Sequence, residues 1–405
     1  MEDYLIINIG LLATPTGKTA LKGDSQANVN FIKNAAIAFS KGKITFVGSI
    51  KDAPNAEEIV NAEGRLVTPG LVDSHTHLVF GGFRHHEFEM KIAGTSYLDI
   101  LNAGGGILST VEATRNSSYN ELYAKSVAFL NEMLAHGTTT VEIKSGYGLN
   151  LDTELLQLQV INDLAKSYEI VPTFMGAHAV PKEHKNNPDA YEEYLIDYVL
   201  PAVSSRKMAK YCDIFCEDSV FSVPVSRKIL KAAREHGFLL KIHADEIVPI
   251  GGADLAAEMG ATSAEHLLGS TDEGLDKMAA SGVIAVLLPA TSFYLDKGYA
   301  RARDMIKKGI PVAIATDFNP GSSPNYNMQL VLNLACLKLK LTPPEALMAA
   351  TLNSAAAIGL AERKGSIEVG KDADIVIWDA PDLNFLFYRY GNNQVFESIK
   401  MGWYA

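Results

Sequence analysis

Short apolar runs alternate with longer amphipathic stretches through the middle of the chain. Strand-like runs lie at 138–143, 170–175 and 239–242. Stretches with helical spacing of their apolar positions lie between such runs, as at 121–136 and 225–236. Alternation sustained over about 290 residues is typical of a parallel sheet with helices packed against it.

The two ends of the chain have a different pattern. Residues 4–9 have the pattern of a strand, and residues 35–47 have that of a β-hairpin around Ser40-Lys41-Gly42. Strand-like segments return at 373–378 and 394–400. These β-rich ends therefore belong to a separate part of the fold.

Together the two patterns predict an α/β protein. At this length a closed (βα)8 TIM-like barrel is favoured for residues 67–364. Residues 1–66 and 365–405 would then meet as one small discontinuous β-sandwich domain.

Composition and charge narrow the partners. The chain has 405 residues, of which 47% are hydrophobic and 20% are charged, which is typical of a globular protein. Its net charge of -11 disfavours a nucleic acid or an anionic membrane as partner, because both need a basic surface. A small-molecule substrate with a carboxylate still fits, since one buried Arg can bind it.

Other signals favour the cytoplasm. Met1-Glu2-Asp3-Tyr4 lacks the basic residues that begin a signal peptide, and no apolar run approaches the roughly 20 residues that span a bilayer. Three cysteines do not make a disulfide framework and fit a reducing compartment.

Polar side chains at the ends of the apolar runs are the candidates for chemistry, because barrel enzymes place their sites at the carboxyl ends of the strands. Leu71-Val72-Asp73 leads into His75 and His77. In a strand these two side chains share a face, about 6–7 Å apart at Cα, which suits two ligands of one metal ion. Two satisfied structural histidines are the alternative.

Three further segments carry similar residues. The run at 239–242 leads into His243, His266 follows a short segment, and the run at 312–315 leads into Asp317. A lone Asp at a strand end is more often a helix N-cap than a ligand. The four sites in this order are hard to produce by chance.

This order of His-x-His, His, His and Asp resembles the amidohydrolase superfamily. The segments Thr68–Asp73 and Gly365–Asp374 also resemble the entry into its first barrel strand and the return to its β domain. The resemblance implies one divalent metal ion, zinc or iron, held by His75, His77, His243 and Asp317.

The resemblance also implies the catalytic roles. His266 would orient or deprotonate a water together with Asp317, and Glu246 would protonate a leaving ring nitrogen. A surface glutamate is the alternative for Glu246. Lys144 stands where binuclear members carry a carboxylated lysine, and we interpret it as structural or as a support for the metal ligands.

A narrower resemblance concerns one branch of the superfamily, which hydrolyses the ring C–N bond of a five-membered cyclic amide with a carboxylate tail. It rests on the segments 81–84, 102–107, 144–149, 176–181 and 317–322. In that branch, the planar fork of Arg84 would pair with the tail. The resemblance also implies a homodimer. It predicts that the substrate contacts Arg84, Tyr147, His178, Glu246, Asn319, Gly321 and Ser322.

Competing interpretations remain at this point. A heterocycle deaminase of the same superfamily would share the metal site and Glu246, without a need for Arg84. A non-enzymatic protein on the same scaffold would have lost metal ligands that this chain retains. A Rossmann-type dehydrogenase is disfavoured because no Gly-x-Gly-x-x-Gly follows the first strand.

Overall fold

The structure is a computed structural model that describes residues 1–95, 99, 104–218 and 220–400, together with the backbone of 403–404. Two eight-stranded sheets dominate it. Among the described residues, no helix has the length and apolar character needed to cross a bilayer.

One sheet is a parallel barrel. Hydrogen bonds from Asp317 N to His75 O and from His77 N to Phe318 O join the last strand region to the first and close it. The predicted (βα)8 barrel is thereby confirmed. Its strands are β6 (Leu71–Asp73), β7 (Thr138–Lys144), β8 (Glu169–Ala177), β9 (Tyr211–Cys216), β10 (Leu239–Ala244), β11 (Ser263–His266), β12 (Ile284–Leu287) and β13 (Val312–Ile314).

The barrel strands are buried on both faces, as expected for parallel strands covered by helices. Every residue of β7 is buried, including Glu142 and Lys144, which share a face because they are two positions apart. Charged side chains therefore lie inside the barrel.

Helices surround the barrel, and local signals set their starts. Ser118 and Glu121 form a capping box at α3, and Thr342 and Glu345 form another at α13. The α-helices are α1 (Phe88–Ile92), α2 (Ile107–Arg115), α3 (Tyr119–Ala135), α4 (Leu151–Leu164), α5 (Pro188–Tyr194), α6 (Leu200–Ser205), α7 (Val223–Glu235), α8 (Gly252–Glu258), α9 (Asp272–Ser281), α10 (Pro289–Tyr294), α11 (Ala302–Lys307), α12 (Met328–Leu337), α13 (Pro343–Ala350), α14 (Leu352–Ala357) and α15 (Leu383–Tyr388).

Short helical turns of other types complete the helical elements. They are the 3-10 segments Gly23–Ala27, Ile50–Asp52, His85–Glu87 and Lys182–His184, and the π-helical segment Leu195–Val199.

The second sheet joins both ends of the chain, as predicted. It branches at β1, which pairs with β2, β4 and β5, and β5 pairs in turn with β14. Its own apolar cluster includes residues from both ends, such as Ile6 and Ile375. Its strands are β1 (Glu2–Thr14), β2 (Asn30–Ser40), β3 (Lys43–Ser49), β4 (Ala56–Asn61), β5 (Leu66–Pro69), β14 (Ile375–Trp378), β15 (Val395–Lys400) and β16 (Trp403–Tyr404).

Only Gly70 separates the last residue of β5 from the first of β6, so the chain passes from one sheet to the other without a linker. The division at residues 66 and 365 stays a prediction.

A buried ionic network ties the second sheet to the barrel. Lys364 lies 2.9 Å from Asp372 and 2.6 Å from Asp374, both on the segment that leads into β14. Lys364 also lies 3.4 Å from Glu169 at the start of β8. Arg363 bridges Glu169 and Asp372 as well.

Candidate functional site

The four residues predicted as metal ligands come together at the carboxyl end of the barrel. His75 Nε2 and His77 Nε2 lie 3.4 and 3.6 Å from Asp317 Oδ1. His243 Nε2 lies 3.3 Å from His77 Nε2. Ligand atoms around a tetrahedral ion with bonds of about 2.0 to 2.2 Å are roughly 3.3 to 3.6 Å apart. The separations of Asp317 from His75 and His77 fit one ion, and these three residues form one candidate group of ligands; His75, His243 and His266 form a second group that shares His75.

The unpaired nitrogens of this cluster support the same interpretation. Both ring nitrogens of His75 and Nδ1 of His77 are buried and have no hydrogen-bond partner within the described part of the chain. Burial is the main cause that lowers the pKa of both histidines well below the usual value, so the rings are neutral. Neutral, buried and unpaired imidazoles are a donor set for a cation.

Two site residues have an uncommon backbone conformation. His266 has φ of 68° and Asp317 has φ of 52°, in the left-handed region that residues other than glycine seldom adopt. Such conformations persist where the surrounding structure fixes them, and they cluster at functional sites. The side chains of His266 and Asp317 are thereby aimed from the strand ends into the cluster.

The sequence interpretation missed Asp213, which supports His243. Asp213 Oδ1 lies 3.1 Å from His243 Nδ1, so the carboxylate accepts the Nδ1 proton and leaves Nε2 free as a ligand atom. Burial alone would raise the pKa of Asp213, but His243 and Lys144 hold it well below its usual value. A charged residue inside the apolar strand 211–216 was the available signal.

Lys144 contacts carboxylates inside the barrel. Its Nζ lies 2.7 Å from Glu142 Oε1 and 2.9 Å from Asp213 Oδ2, and all three side chains are fully buried. Although burial opposes its charge, Asp213 and Glu142 raise the pKa of Lys144 above the usual value. Lys144 is therefore a buried ammonium group.

The predicted proton-transfer residues lie together beside the cluster. His266 Nε2 is 3.4 Å from Glu246 Oε2. Burial and Asp317 raise the pKa of Glu246 to about 8, and burial and His243 lower that of His266 well below its usual value. A cavity of about 290 Å³ lined by Glu246, His266 and Thr291 adjoins them.

Asp317 has a second partner that the sequence did not indicate. Thr291 Oγ1, on α10, donates a 2.6 Å hydrogen bond to Asp317 Oδ2. Burial raises the pKa of Asp317 to about 6 although the Thr291 bond opposes the rise. Thr291 therefore fixes which oxygen of Asp317 faces His75 and His77.

Two predicted substrate residues, Tyr147 and His178, border the histidines, and a third, Arg84, is close enough to act on both electrostatically. The rings of His178 and His77 stack at 4.8 Å, and Tyr147 lies 5.2 Å from His178. His178 Nδ1 lies 3.0 Å from Gly146 O and must donate to it, so the neutral ring offers Nε2 as an acceptor. Burial lowers the pKa of His178 to about 3, and the charge of Arg84 also acts in this direction.

The remaining three predicted substrate residues bond to each other. Asn319 Oδ1 accepts from the backbone N–H groups of Gly321 and Ser322, at 2.8 and 2.7 Å. Asn319 Nδ2 donates to Asp317 O at 2.7 Å and to Ser322 Oγ at 2.9 Å. The Asn319 amide therefore shapes the loop after Asp317. Of the Gly-rich segment 102–107, Asn102 and Ala103 lie outside the described residues.

The chain is similar in sequence to one family of known hydrolases. The profile of the Amidohydrolase family matches residues 66–403. An imidazolonepropionase from Bacillus velezensis is 51% identical to the chain, covering 99% of this chain and 96% of the relative. An imidazolonepropionase from Fusobacterium nucleatum is also 51% identical, covering 99% of this chain and 98% of the relative.

Among solved structures, a 5-methylcytosine deaminase from Klebsiella pneumoniae has a similar fold. The TM-score is 0.74 at 17% identity, over 99% of this chain and 97% of the other. At that identity the likeness concerns the fold alone.

Proposed function

The chain belongs to the amidohydrolase family, and relatives that are 51% identical to it over nearly their full length are imidazolonepropionases. From this premise we propose its function. The chain is an imidazolonepropionase, a hydrolase of a cyclic amide C–N bond in histidine degradation. It converts 4-imidazolone-5-propanoate to N-formimidoyl-L-glutamate. The observation that carries this is the imidazole and carboxylate cluster, together with the Arg84 guanidinium that lies on Gly321 in the loop after Asp317.

We propose that His75, His77, His243 and Asp317 hold one divalent metal ion, zinc or iron. Imidazole and carboxylate ligands accept either. When bound, the ion supplies Lewis acidity, which lowers the pKa of a water and polarises a carbonyl. Asp213 keeps His243 in the tautomer whose Nε2 faces the cluster.

The protein's own groups then move protons. His266 is neutral and can accept a proton from the attacking water, and Asp317 is a second possible acceptor. Glu246 carries a proton at neutral pH, which it can give to the ring nitrogen. The water oxygen adds to the ring carbonyl carbon, the C–N bond breaks, and the nitrogen leaves with the proton from Glu246.

Residues of four different loops would orient the substrate. Arg84 would pair with the propanoate carboxylate through its two terminal amino groups. Tyr147 stays a phenol, because burial raises its pKa, and can donate a hydrogen bond. His178 can accept one at Nε2. Asn319, Gly321 and Ser322 would form the loop that faces the ring.

We also propose that the enzyme acts in the cytoplasm as a homodimer, without a nucleic acid or membrane partner. The reducing compartment suggested by its three cysteines supports the location, and the acidic charge of the chain disfavours those partners. The homodimer is what the family resemblance implies.

The test combines metal analysis with turnover. Purified protein should contain about one divalent ion per chain and open 4-imidazolone-5-propanoate. Asp317→Asn and His266→Asn should lower kcat by about 100-fold or more. Asn is chosen because it tolerates a positive φ. His85→Asn, at an exposed histidine, is the matched control.

Two outcomes would reject the proposal. Full activity in protein stripped of divalent ions would show that the reaction needs no metal ion. Failure to open 4-imidazolone-5-propanoate, together with release of ammonia from an amino-substituted heterocycle, would make the chain a heterocycle deaminase.

A further inference from the structure

Glu87 is a buried carboxylate that no step above uses. It closes a 3-10 turn directly before α1 and its side chain is only 1% exposed. Gly106 N donates a 2.7 Å hydrogen bond to Glu87 Oε1, which anchors the carboxylate independently of its charged neighbours. Burial alone would raise the pKa of Glu87, but Arg84, Gly106 and Lys91 hold it below the usual value.

Glu87 holds Arg84 by one edge of the guanidinium. Arg84 Nε lies 3.1 Å from Glu87 Oε1 and 3.3 Å from Oε2. Neither terminal amino group of Arg84 has a hydrogen-bond partner among the described residues, although the side chain is only 13% exposed. A guanidinium with one edge held and its two-nitrogen end unpaired can bind an external carboxylate.

Gly321 supplies the surface on which this group lies. A Cβ on Gly321 would meet Cζ of Arg84 at 2.3 Å and both terminal nitrogens at 2.4 Å. Because these three distances are nearly equal, the flat face of the guanidinium covers Gly321. The Glu87 bond and this contact together fix both the position and the plane of the Arg84 group.

Lys91 is a second cation at the same place. Its Nζ lies 3.3 Å from Glu87 Oε2 and donates a 2.8 Å hydrogen bond to Gly321 O. Two cations, Arg84 and Lys91, thus share one anion, Glu87. The surplus of one positive charge is what a monocarboxylate would neutralise.

We propose that Glu87 is a positioning residue that holds the Arg84 guanidinium flat on Gly321 and presents its free end, with Lys91 nearby, to the carboxylate of the substrate. This inference rests on the proposed function, in which Arg84 binds the tail. The new element is the role of Glu87. Although Glu87 is itself an anion, it increases the affinity of Arg84 for the substrate carboxylate, because it orders the Arg84 guanidinium.

The experiment compares Glu87→Gln with Glu89→Gln in the metal-loaded enzyme. Both substitutions remove one negative charge, but Glu89 is exposed on α1. For Glu87→Gln, loss of the charged hydrogen bonds should raise KM for 4-imidazolone-5-propanoate about tenfold, with kcat within about twofold of the original. Glu89→Gln should leave both constants unchanged.

Two further measurements separate positioning from general damage. An analogue with an ethyl group in place of the propanoate should show the same KM with and without Glu87→Gln. Calorimetry with imidazole-4-propanoate should show the tenfold loss of affinity without any turnover. If Glu87→Gln does not fold, Glu87→Asp can replace it. Asp keeps the charge but holds it farther from Arg84, so the affinity for imidazole-4-propanoate should also fall.

The direction in which KM changes in Glu87→Gln distinguishes positioning from competition. An unchanged or lower KM in Glu87→Gln would mean that Glu87 merely competes with the substrate for Arg84, and would overturn the inference. An equal rise for the ethyl analogue would do the same. If imidazole-4-propanoate binds the unmodified protein more tightly than it binds Glu87→Gln, but the unmodified protein opens no ring, the proposed function alone would be rejected. Protein that binds no carboxylate probe would reject both.

Discussion

At the scale of single residues, the Arg84 guanidinium leaves no room for a side chain at Gly321. We predict that Gly321→Ala displaces the Arg84 guanidinium, because the new methyl group would lie 2.3 Å from Cζ. KM for 4-imidazolone-5-propanoate should rise about tenfold or more, as expected when a charged pair is misaligned. Steady-state kinetics measure this.

The same variant should keep its metal and its kcat. Arg84 is a flexible side chain that can move aside, so the loop itself need not shift. A large fall in kcat with unchanged KM would show that Gly321 matters for the reacting groups and not for the carboxylate.

Asp213 carries the second prediction at this scale. Asp213→Asn should weaken metal binding about tenfold, because the neutral amide holds the His243 Nδ1 proton less firmly. Competition with a chromophoric chelator measures the affinity directly. Equal affinity in the two proteins would mean that His243 needs no partner to serve as a ligand.

Residues at strand ends could be found from the sequence, while their supporting partners could not. His75, His77, His243 and Asp317 each follow an apolar run, and barrel geometry brings such positions together. Asp213 and Thr291 act through contacts with residues 30 and 26 positions away, which no local pattern reports. Asn319 was predicted to contact substrate, yet its amide is used within its own loop.

At the scale of elements, α3 offers a clean test of local stabilisation. Ser118 forms a capping box with Glu121 at its start. We predict that Ser118→Ala lowers the free energy of unfolding by about 1 kcal/mol and leaves kcat unchanged. Urea denaturation measures the change.

Ser222 provides the matched control. It occupies the equivalent position before α7 but makes no capping hydrogen bond with its side chain. Ser222→Ala should therefore cost less than Ser118→Ala. Equal losses would show that the capping box adds nothing beyond the residue preference.

Most strands and the longest helices followed from the hydrophobic pattern, because it has the period of the structure that forms. The stretch 121–136 corresponds to α3 at Tyr119–Ala135, and the run 312–315 to β13 at Val312–Ile314. The strand β11 was seen only as a short segment before His266. Its four residues, Ser263–His266, include a buried Glu265 that breaks the apolar run, so no strand pattern was visible.

At the scale of the whole molecule, the ionic network between sheet and barrel should make stability depend on pH. Burial opposes ionisation of Asp372, but Lys43, Lys364 and Arg363 hold its pKa below the usual value. A carboxyl group with a lowered pKa stabilises the fold fully at pH values above its ordinary pKa of about 3.9. This contribution is lost as the pH falls through the pKa of the folded state.

We therefore predict that Asp372→Asn lowers the free energy of unfolding by about 2 kcal/mol at pH 7. The difference from the unmodified chain should shrink as the pH drops below about 4. Asp379→Asn is the control, since its ion pair with Arg65 is exposed, and should have little effect at any pH. A difference that stays constant with pH would mean that the charge of Asp372 is not what stabilises the joint.

The closure of the barrel has a consequence for how the protein is made. Asp73 and Thr316, 243 positions apart, bond across the seam; His75 lies two residues after Asp73, and Asp317 directly follows Thr316. A nascent chain that ends before β13 contains His75, His77 and His243 but not Asp317, so the proposed metal site is incomplete. We therefore expect the ion to bind only after β13 has been synthesised. Two separately expressed fragments, cut before β13, should acquire the ion only on mixing.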